Sequence, residues 1–141
     1  MGEVCCLEEA IFSDPWSPGS LLSSFESPHS VFLAATDEGG ELLGYAVMYC
    51  IAGEAEILNI AVSPAARRRG IGSALMEEML RRGESAGCEL FFLEARESNS
   101  AAIALYEKYS FRAVGRRKRY YTRPTEDAIE MQRGNNADLS S

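Results

Sequence analysis

Histidine and paired cysteines are what this chain lacks most. Its 141 residues contain one histidine, His29, and four cysteines that form no Cys-x-x-Cys pair. Zinc sites are built from clusters of these two residue types, so the sequence contains no recognisable metal site and we expect none. The cysteines, at positions 5, 6, 50 and 88, lie in or beside apolar segments, which is typical of reduced, buried thiols in a cytoplasmic protein.

Long apolar runs are missing too. No run approaches the roughly 20 residues of a membrane-spanning helix, and the start, Met1-Gly2-Glu3, lacks the basic and apolar regions of a signal peptide. We therefore expect a soluble cytoplasmic protein without a membrane partner. With 46% apolar and 25% charged residues, the composition fits one compact domain, which we assign to residues 1–133. The polar residues 134–141 are expected to form a disordered tail.

Positive charge is in short supply. The chain has 14 basic and 21 acidic residues and a net charge of −7, whereas proteins that bind nucleic acids are usually net basic. We therefore expect no nucleic-acid partner. The basic cluster at residues 116–121 is predicted to be an exposed strand with solvated charges, and the acidic chain would attract a basic peptide.

What the chain does have is a glycine-containing turn of distinctive form. An apolar, strand-like stretch stops at Pro64, and a helix opens through Gly70 and Gly72. Glycines let the backbone approach an anion, and the first N–H groups and the dipole of the helix attract one. The arginines at 67–69 add countercharge, but the spacing fits neither a P-loop nor a dinucleotide-binding turn. On the loop alone, a phosphate site and a basic helix start that binds nothing are equally good interpretations.

The apolar pattern predicts an α/β fold with a mixed central sheet. An antiparallel meander with a turn at residues 37–40 comes first, and a helix, a parallel strand, a second helix and a hairpin follow. The predicted helices cover 4–12, 19–26, 72–87 and 101–109, and the predicted strands cover 31–36, 42–51, 55–62, 90–95, 111–120 and 127–132.

Five segments resemble the Gcn5-related N-acetyltransferases (GNAT). Residues 67–73 resemble the Arg/Gln-x-x-Gly-x-Gly/Ala loop that binds the pyrophosphate of coenzyme A in that family. Residues 14–17, 59–62, 93–107 and 120–128 resemble, in order, the RimI-type ribosomal-protein alanine N-acetyltransferases. The resemblance implies the GNAT fold, with helices on both faces of the sheet. It also implies acetyl transfer from acetyl-CoA to the N-terminal alanine of a ribosomal protein by direct attack, without a metal.

The resemblance also implies a cofactor site. Backbone groups of Ile60, Ala61 and Val62 would meet the pantetheine arm and thioester where two strands splay apart, and the N–H of Val62 would polarise the acetyl carbonyl. Asn99 would bond the cofactor, although an N-cap or turn role is its alternative. The pyrophosphate would lie on Arg68, Arg69, Gly70, Ile71, Gly72 and Ser73.

Two residues are candidates for proton transfer. Glu94 ends an otherwise apolar strand, where an unpaired carboxylate is unfavourable, and it matches the RimI general base. Its alternative is an ion pair with Arg96 on the same strand face. Tyr106 matches the family tyrosine that protonates the departing thiolate, and its alternative is packing in the core.

Three further residues are candidates for holding the substrate. Glu56 alternates with Leu58, Ile60 and Val62, so it is expected on their face of the strand, where it could meet the substrate amine or a bridging water. Tyr120 and Tyr121 resemble the paired tyrosines that hold the peptide backbone in Nα-acetyltransferases. Simple packing near a strand end is the alternative for these tyrosines.

The chain departs from the family pattern at two points. RimI-type chains open with an extra strand, whereas this sequence begins inside the first helix, so we expect an edge strand to be missing and leave the assembly state open. Ser110 stands where the family has glycine after a helix, which costs roughly 1 kcal/mol in a left-handed cap.

Trp16 is expected to line the peptide entrance or to close the core. Two other functions stay open: acetylation of a small-molecule amine, and a truncated acetyl-CoA-binding module without turnover.

Overall fold

A computed structural model describes residues 29–66, 70–122 and 124–134 of the chain. The predicted helices at 4–12 and 19–26, Trp16 and the segment 135–141 lie outside the described residues. No helix in the described part is long and apolar enough to cross a membrane. The elements are β1 (Ser30–Thr36), β2 (Leu42–Ile51), β3 (Glu54–Val62), a 3₁₀ turn (Pro64–Ala66), α1 (Ile71–Ser85), β4 (Leu90–Arg96), α2 (Ser100–Lys108), β5 (Arg112–Tyr121) and β6 (Glu126–Gly134).

The six strands form one mixed sheet, as predicted. Their order is β1-β2-β3-β4-β6-β5, and the β3–β4 pair is parallel while the other neighbouring pairs are antiparallel. The predicted meander, crossover helix and final hairpin are therefore confirmed within the described residues.

One face of the sheet, which we call the helix face, packs against α1. The buried stripe of α1, Leu75, Met76, Met79 and Leu80, confirms the predicted amphipathic helix. Strand alternation turns residues 91, 93 and 95 of β4 into the same core. Glu94 and Arg96 therefore lie on the other side of the sheet, which we call the acidic face.

A bulge in β3 changes which side chains share a face. Met48 pairs with Ile57 but Val47 pairs with Asn59, so Leu58 is an extra residue in β3. Beyond it, Ile60 lies opposite Ala46 on the helix face, whereas Glu56 lies opposite Tyr49 on the acidic face. The expectation that Glu56 shares a face with Ile60 and Val62 is wrong, because the extra residue reverses the alternation.

The strands β3 and β4 separate at the same place. Their last parallel pair is Glu56 with Phe92, although both strands continue to Val62 and Arg96. A bulge bends its strand and increases the local twist, which accounts for the separation. The predicted splay between neighbouring strands is thus present.

The terminal hairpin has an irregularity of its own. Arg117 pairs with Ala128 and Tyr121 with Glu126, so three residues of β5 face one residue of β6. Arg119 has φ 53°, and its N–H donates to Oδ1 of Asp127 at 2.9 Å. The extra residues bring the rings of residues 120 and 121 together at 5.0 Å between centroids, instead of leaving them on opposite faces.

The exposed strand predicted at residues 116–121 is confirmed, but its charges are not simply solvated. The guanidinium of Arg116 lies 2.6 Å from a carboxylate oxygen of Glu97 and 3.0 Å from one of Asp127. Arg117 also pairs with carboxylates, as described below. The expectation of solvated charges is wrong for these two arginines, because the hairpin register brings acidic residues of neighbouring segments alongside them.

The expected left-handed cap after α2 is present. Ser110 has φ 72°, and its N–H donates to the carbonyl of Glu107 at 3.0 Å. The N–H of Phe111 donates to the carbonyl of Tyr106, also at 3.0 Å. This pair of bonds is a Schellman motif, which normally has glycine at the serine's position.

Replacing Ser110 by glycine is expected to raise the free energy of unfolding by about 1 kcal/mol, because glycine adopts positive φ without strain at Cβ. Urea unfolding followed by circular dichroism measures the change. Ser110→Ala is the matched control: alanine keeps the Cβ, so its unfolding free energy should stay near that of the original chain. An equal gain in both variants would assign the strain to the hydroxyl and contradict the prediction.

Candidate active site

Some backbone N–H groups of β3 point toward the gap between β3 and β4. The N–H of Ser63 donates to the carbonyl of Leu43 in β2 at 2.8 Å. Hydrogen-bonded and non-hydrogen-bonded pairs alternate along antiparallel strands, so the backbone N–H of Ala61 points toward β2. The N–H groups of Ile60 and Val62 point the other way, toward β4. This is the orientation that the cofactor prediction needs at Ile60 and Val62, but not at Ala61, whose backbone N–H faces β2. The contacts with the cofactor stay predictions.

The N-terminus of α1 has the form of an anion site. Gly70 is its N-cap at φ 76°, and within the described residues no side chain caps the helix. The first backbone N–H groups belong to Ile71, Gly72 and Ser73, where the pyrophosphate is predicted. Arg68 and Arg69 lie outside the described residues, so their predicted part is not tested.

Lys108 adds a positive charge that the sequence analysis missed. Its Nζ lies 3.4 Å from Oγ of Ser73, although it belongs to the last turn of α2. Only the packing of α2 against α1 brings it there, so no local sequence signal could have indicated it. A helix dipole and an adjacent lysine favour the same ligand, a phosphate group.

Asn99 has the capping role that was its alternative. Its Oδ1 accepts a hydrogen bond from the N–H of Ala102 at 3.1 Å, which makes it the N-cap of α2. A carboxamide also carries a donor group, so cofactor binding through Nδ2 is compatible with the cap and stays a prediction.

Tyr106 is a core residue, as its alternative proposed. It is 9% exposed, and its ring lies 6.1 Å from that of Phe111. Burial raises the pKa of its hydroxyl to about 12. Tyr106 belongs to the core cluster that also contains the buried residues of α1. Its catalytic role stays a prediction.

Three carboxylates and one guanidinium meet on the acidic face. Glu56, Glu94, Arg117 and Glu130 line a pocket of about 310 Å³, together with the apolar side chains of Phe92 and Val114. Burial raises the pKa of Glu56, and the charge of Glu94 raises it further, while Arg117 lowers it. The structure thus brings together the predicted residues Glu56 and Glu94 and adds two that were not predicted.

Glu94 is held by groups from β5. Its Oε2 lies 2.8 Å from Nε of Arg117, and the hydroxyl of Tyr120 makes a hydrogen bond with its carboxylate. The proposed alternative partner, Arg96, lies 3.2 Å from Oε1 of Glu126 and donates to the carbonyls at 122 and 124. The pair with Arg117 could not be predicted because β5 lies two strands away in the sheet.

The two tyrosines of the hairpin lie beside this cluster. Tyr120 is 49% exposed, which excludes core packing for it. The guanidinium of Arg96 lies 4.4 Å from the ring centre of Tyr121, and burial is the main reason why the pKa of Tyr121 is raised. Substrate binding by this pair stays a prediction, with Tyr120 the more accessible member.

Two further features of the pocket were missed. Glu130 lies directly opposite Glu94 in the β4–β6 pair, which only the register reveals. Gly115 leaves room for it: a Cβ at this position would lie 2.5 Å from Oε1 of Glu130. Within the described ranges, no three His, Cys, Asp or Glu residues are arranged to hold a metal ion.

Comparison with known proteins agrees with this arrangement. The acetyltransferase (GNAT) family model matches residues 2–111. The chain is 38% identical over 133 residues to the N-alpha-acetyltransferase RimI of Mycobacterium tuberculosis, covering 90% of this chain and 82% of the relative. It is 35% identical over 127 residues to the ribosomal protein bS18-alanine N-acetyltransferase of Escherichia coli K12, with 89% and 84% covered.

Solved structures show the same likeness. The crystal structure of the ribosomal-protein-S18-alanine N-acetyltransferase from Escherichia coli has a TM-score of 0.88 and 33% identity, covering 96% of this chain and 87% of that one. Ard1 from Thermoplasma volcanium has a TM-score of 0.88 and 28% identity, with 94% and 89% covered. The resemblance to RimI-type enzymes is confirmed, and the chain belongs to the acetyltransferase (GNAT) family.

Proposed function

We propose that this protein is a peptide Nα-acetyltransferase that moves an acetyl group from acetyl-CoA to the N-terminal alanine of a ribosomal protein. The observation that carries the proposal is the position of Glu94. It follows the point where β3 leaves β4, so a carboxylate lies beside a gap lined by backbone donors. The names of the relatives, which include a ribosomal protein bS18-alanine N-acetyltransferase, support this substrate.

The cofactor side of the proposal uses backbone donors and basic residues. Acetyl-CoA, when bound, supplies the acetyl group as an activated thioester. The N-terminus of α1, with Lys108 beside Ser73, would hold its pyrophosphate, and the N–H of Val62 would donate to the acetyl carbonyl. Removal of one such donor typically costs about 3 to 4 kcal/mol of transition-state stabilisation.

Removal of a proton from the substrate amine falls to Glu94. A peptide α-amino group has a pKa of about 8 and is mostly protonated at neutral pH, so it must lose a proton before it attacks. Glu94 accepts that proton directly or through a water molecule. Glu56, whose pKa burial raises, lies across the pocket and adds negative charge that attracts the ammonium form.

Tyr106 donates a hydrogen bond to the departing sulfur. With a pKa of about 12, its phenol stays protonated over the whole physiological range. Full transfer of its proton to a thiolate, which as a free thiol titrates near 8.5, would be uphill by roughly 5 kcal/mol. Stabilisation of the sulfur through the hydrogen bond is therefore the form of acid assistance that this burial supports.

The hairpin side of the pocket would hold the peptide. The hydroxyl groups of Tyr120 and Tyr121 can donate and accept hydrogen bonds. Both lie near enough to Glu94 for its charge to add to the effect of burial in raising their pKa values. We propose that they bind the peptide backbone behind the N-terminal residue. The net charge of −7 favours a basic protein as the partner.

Purified protein is expected to acetylate a peptide with a free N-terminal alanine, and Glu94→Gln is expected to lower the rate by 10²- to 10⁴-fold, as loss of a general base does. Mass spectrometry of the peptide locates the acetyl group. Glu38→Gln, in an exposed turn, removes the same charge elsewhere and should keep the original rate.

Other outcomes separate the alternatives. Acetylation of free small amines without dependence on peptide sequence would favour a small-molecule acetyltransferase. Binding of acetyl-CoA without turnover of any amine would favour a binding module. If Glu94→Gln acetylated the peptide at the original rate, the protein would still be a transferase, but Glu94 would not be its general base.

Lys108→Gln is expected to raise the KM for acetyl-CoA about fivefold, with kcat little changed, because a charge beside the pyrophosphate binds ground state and transition state alike. Steady-state kinetics with varied acetyl-CoA measure both constants. Lys118→Gln is the control, since Lys118 is the other lysine of the chain and lies in the hairpin. A KM that rises equally in the two variants would contradict a specific site at Ser73.

A further inference from the structure

Arg117 stands between two carboxylates. Its Nε lies 2.8 Å from Oε2 of Glu94 and 3.0 Å from Oε2 of Glu130. Nε carries a single hydrogen, and this hydrogen is donated to Glu130. Glu94 therefore receives the positive charge of the guanidinium at close range without receiving that hydrogen.

Glu130 is positioned by residues on both neighbouring strands. It faces Glu94 directly across the β4–β6 pair, where two like charges repel unless a cation lies between them. It also faces Gly115 of β5, and the missing Cβ of Gly115 leaves the space that Oε1 occupies. A side chain at position 115 would force the Glu130 carboxylate to leave the position in which it meets Arg117.

We propose that Glu130 is a positioning residue of the acetyl-transfer site. It accepts the hydrogen of Arg117 Nε, so Glu94 lies beside the positive charge of Arg117 but does not receive that hydrogen and stays open to the substrate amine. This inference rests on the proposed function. Glu130 acts through Arg117 and touches neither the amine nor the acetyl group.

Arg117 and the substrate amine would otherwise compete for the carboxylate of Glu94. A guanidinium hydrogen is attracted more strongly by a negatively charged carboxylate than by a neutral carboxamide, because Coulomb attraction adds to the hydrogen bond. If position 130 loses its charge, Arg117 donates its hydrogen to Glu94, which is then its strongest acceptor. The amine must displace that bond before Glu94 can accept its proton, so the base works more slowly although no catalytic atom has been removed.

Glu130→Gln, which keeps the shape of the side chain, is expected to lower kcat for the alanine peptide about tenfold, the effect of one charged hydrogen bond. The KM for acetyl-CoA stays unchanged, because the cofactor site is on the other side of the gap. Glu38→Gln is the charge-matched control. A rise in the KM for acetyl-CoA as large as the fall in kcat would indicate a general disturbance of the fold and would overturn the proposal.

The decisive measurement is a double-mutant cycle with Arg117→Gln. When Arg117 is absent, no arginine hydrogen can pass to Glu94 and only the repulsion between Glu94 and Glu130 remains. The tenfold loss of kcat caused by Glu130→Gln should therefore disappear in that background. Independent, additive losses would mean that Glu130 acts on the substrate itself, and the proposal would be wrong.

Gly115→Ala supplies a second test that keeps both charges. Its methyl group displaces the Glu130 carboxylate, so kcat should fall as in Glu130→Gln and should not fall in the Arg117→Gln background. A kcat unchanged by Gly115→Ala, in protein whose thermal unfolding is also unchanged, would contradict the role of Glu130. Absence of turnover in the original protein would instead overturn the proposed function, and the role of Glu130 with it.

Discussion

One extra residue in β3 governs the geometry of the site. If β3 lacked the bulge at Leu58, its alternation would continue unbroken and its backbone donors could pair with β4 along the whole strand. The bulge ends that pairing after Glu56, and the backbone N–H groups of Ile60 and Val62 point toward the side on which β3 and β4 have separated. The helix α1 starts soon afterwards, so its N-terminus lies at the end of the same strand. The separation of β3 from β4 thus follows from one local departure from regular strand geometry.

Electrostatic balance is the second constraint. The pocket on the acidic face holds three carboxylates and one guanidinium. Burial raises the pKa of Glu56, and the excess of negative charge raises it further. A cationic group entering the pocket restores the balance, which is how a protonated amine would be attracted before it gives up its proton. Arg117 limits the repulsion among the carboxylates and lets them share a small volume.

The sequence predicted the parts of this structure that depend on local signals. The apolar stripe of α1, the hairpin turns and the left-handed cap at Ser110 are all set by residues close together in the chain. The bulge at Leu58 was missed because a leucine in a strand has no feature that marks an extra residue. The order of the elements and the family resemblance were sufficient to predict the fold. They were not sufficient to predict which side of the sheet each β3 side chain lies on.

The pairings of the site were harder to predict for a different reason. Glu94 and Arg117 meet only because β6 lies between their strands in one particular register, and Lys108 reaches Ser73 only through helix packing. Such contacts depend on distances across the sheet that no local pattern encodes. Family resemblance singled out Glu94, which lies in the acidic cluster, but it carried no information about the residues that surround it.

Strand β5 is the last strand at its side of the described sheet, and residues 112–120 are exposed along its whole length. An unpaired strand edge is a template on which a second chain can add its own strand. Here five of the ten residues of Arg112–Tyr121 are arginine or lysine, and a bulge twists the edge near its end. Charged side chains along an edge disfavour the addition of a second strand, so the strand whose arginine supports the carboxylates is also a poor template for edge-to-edge pairing.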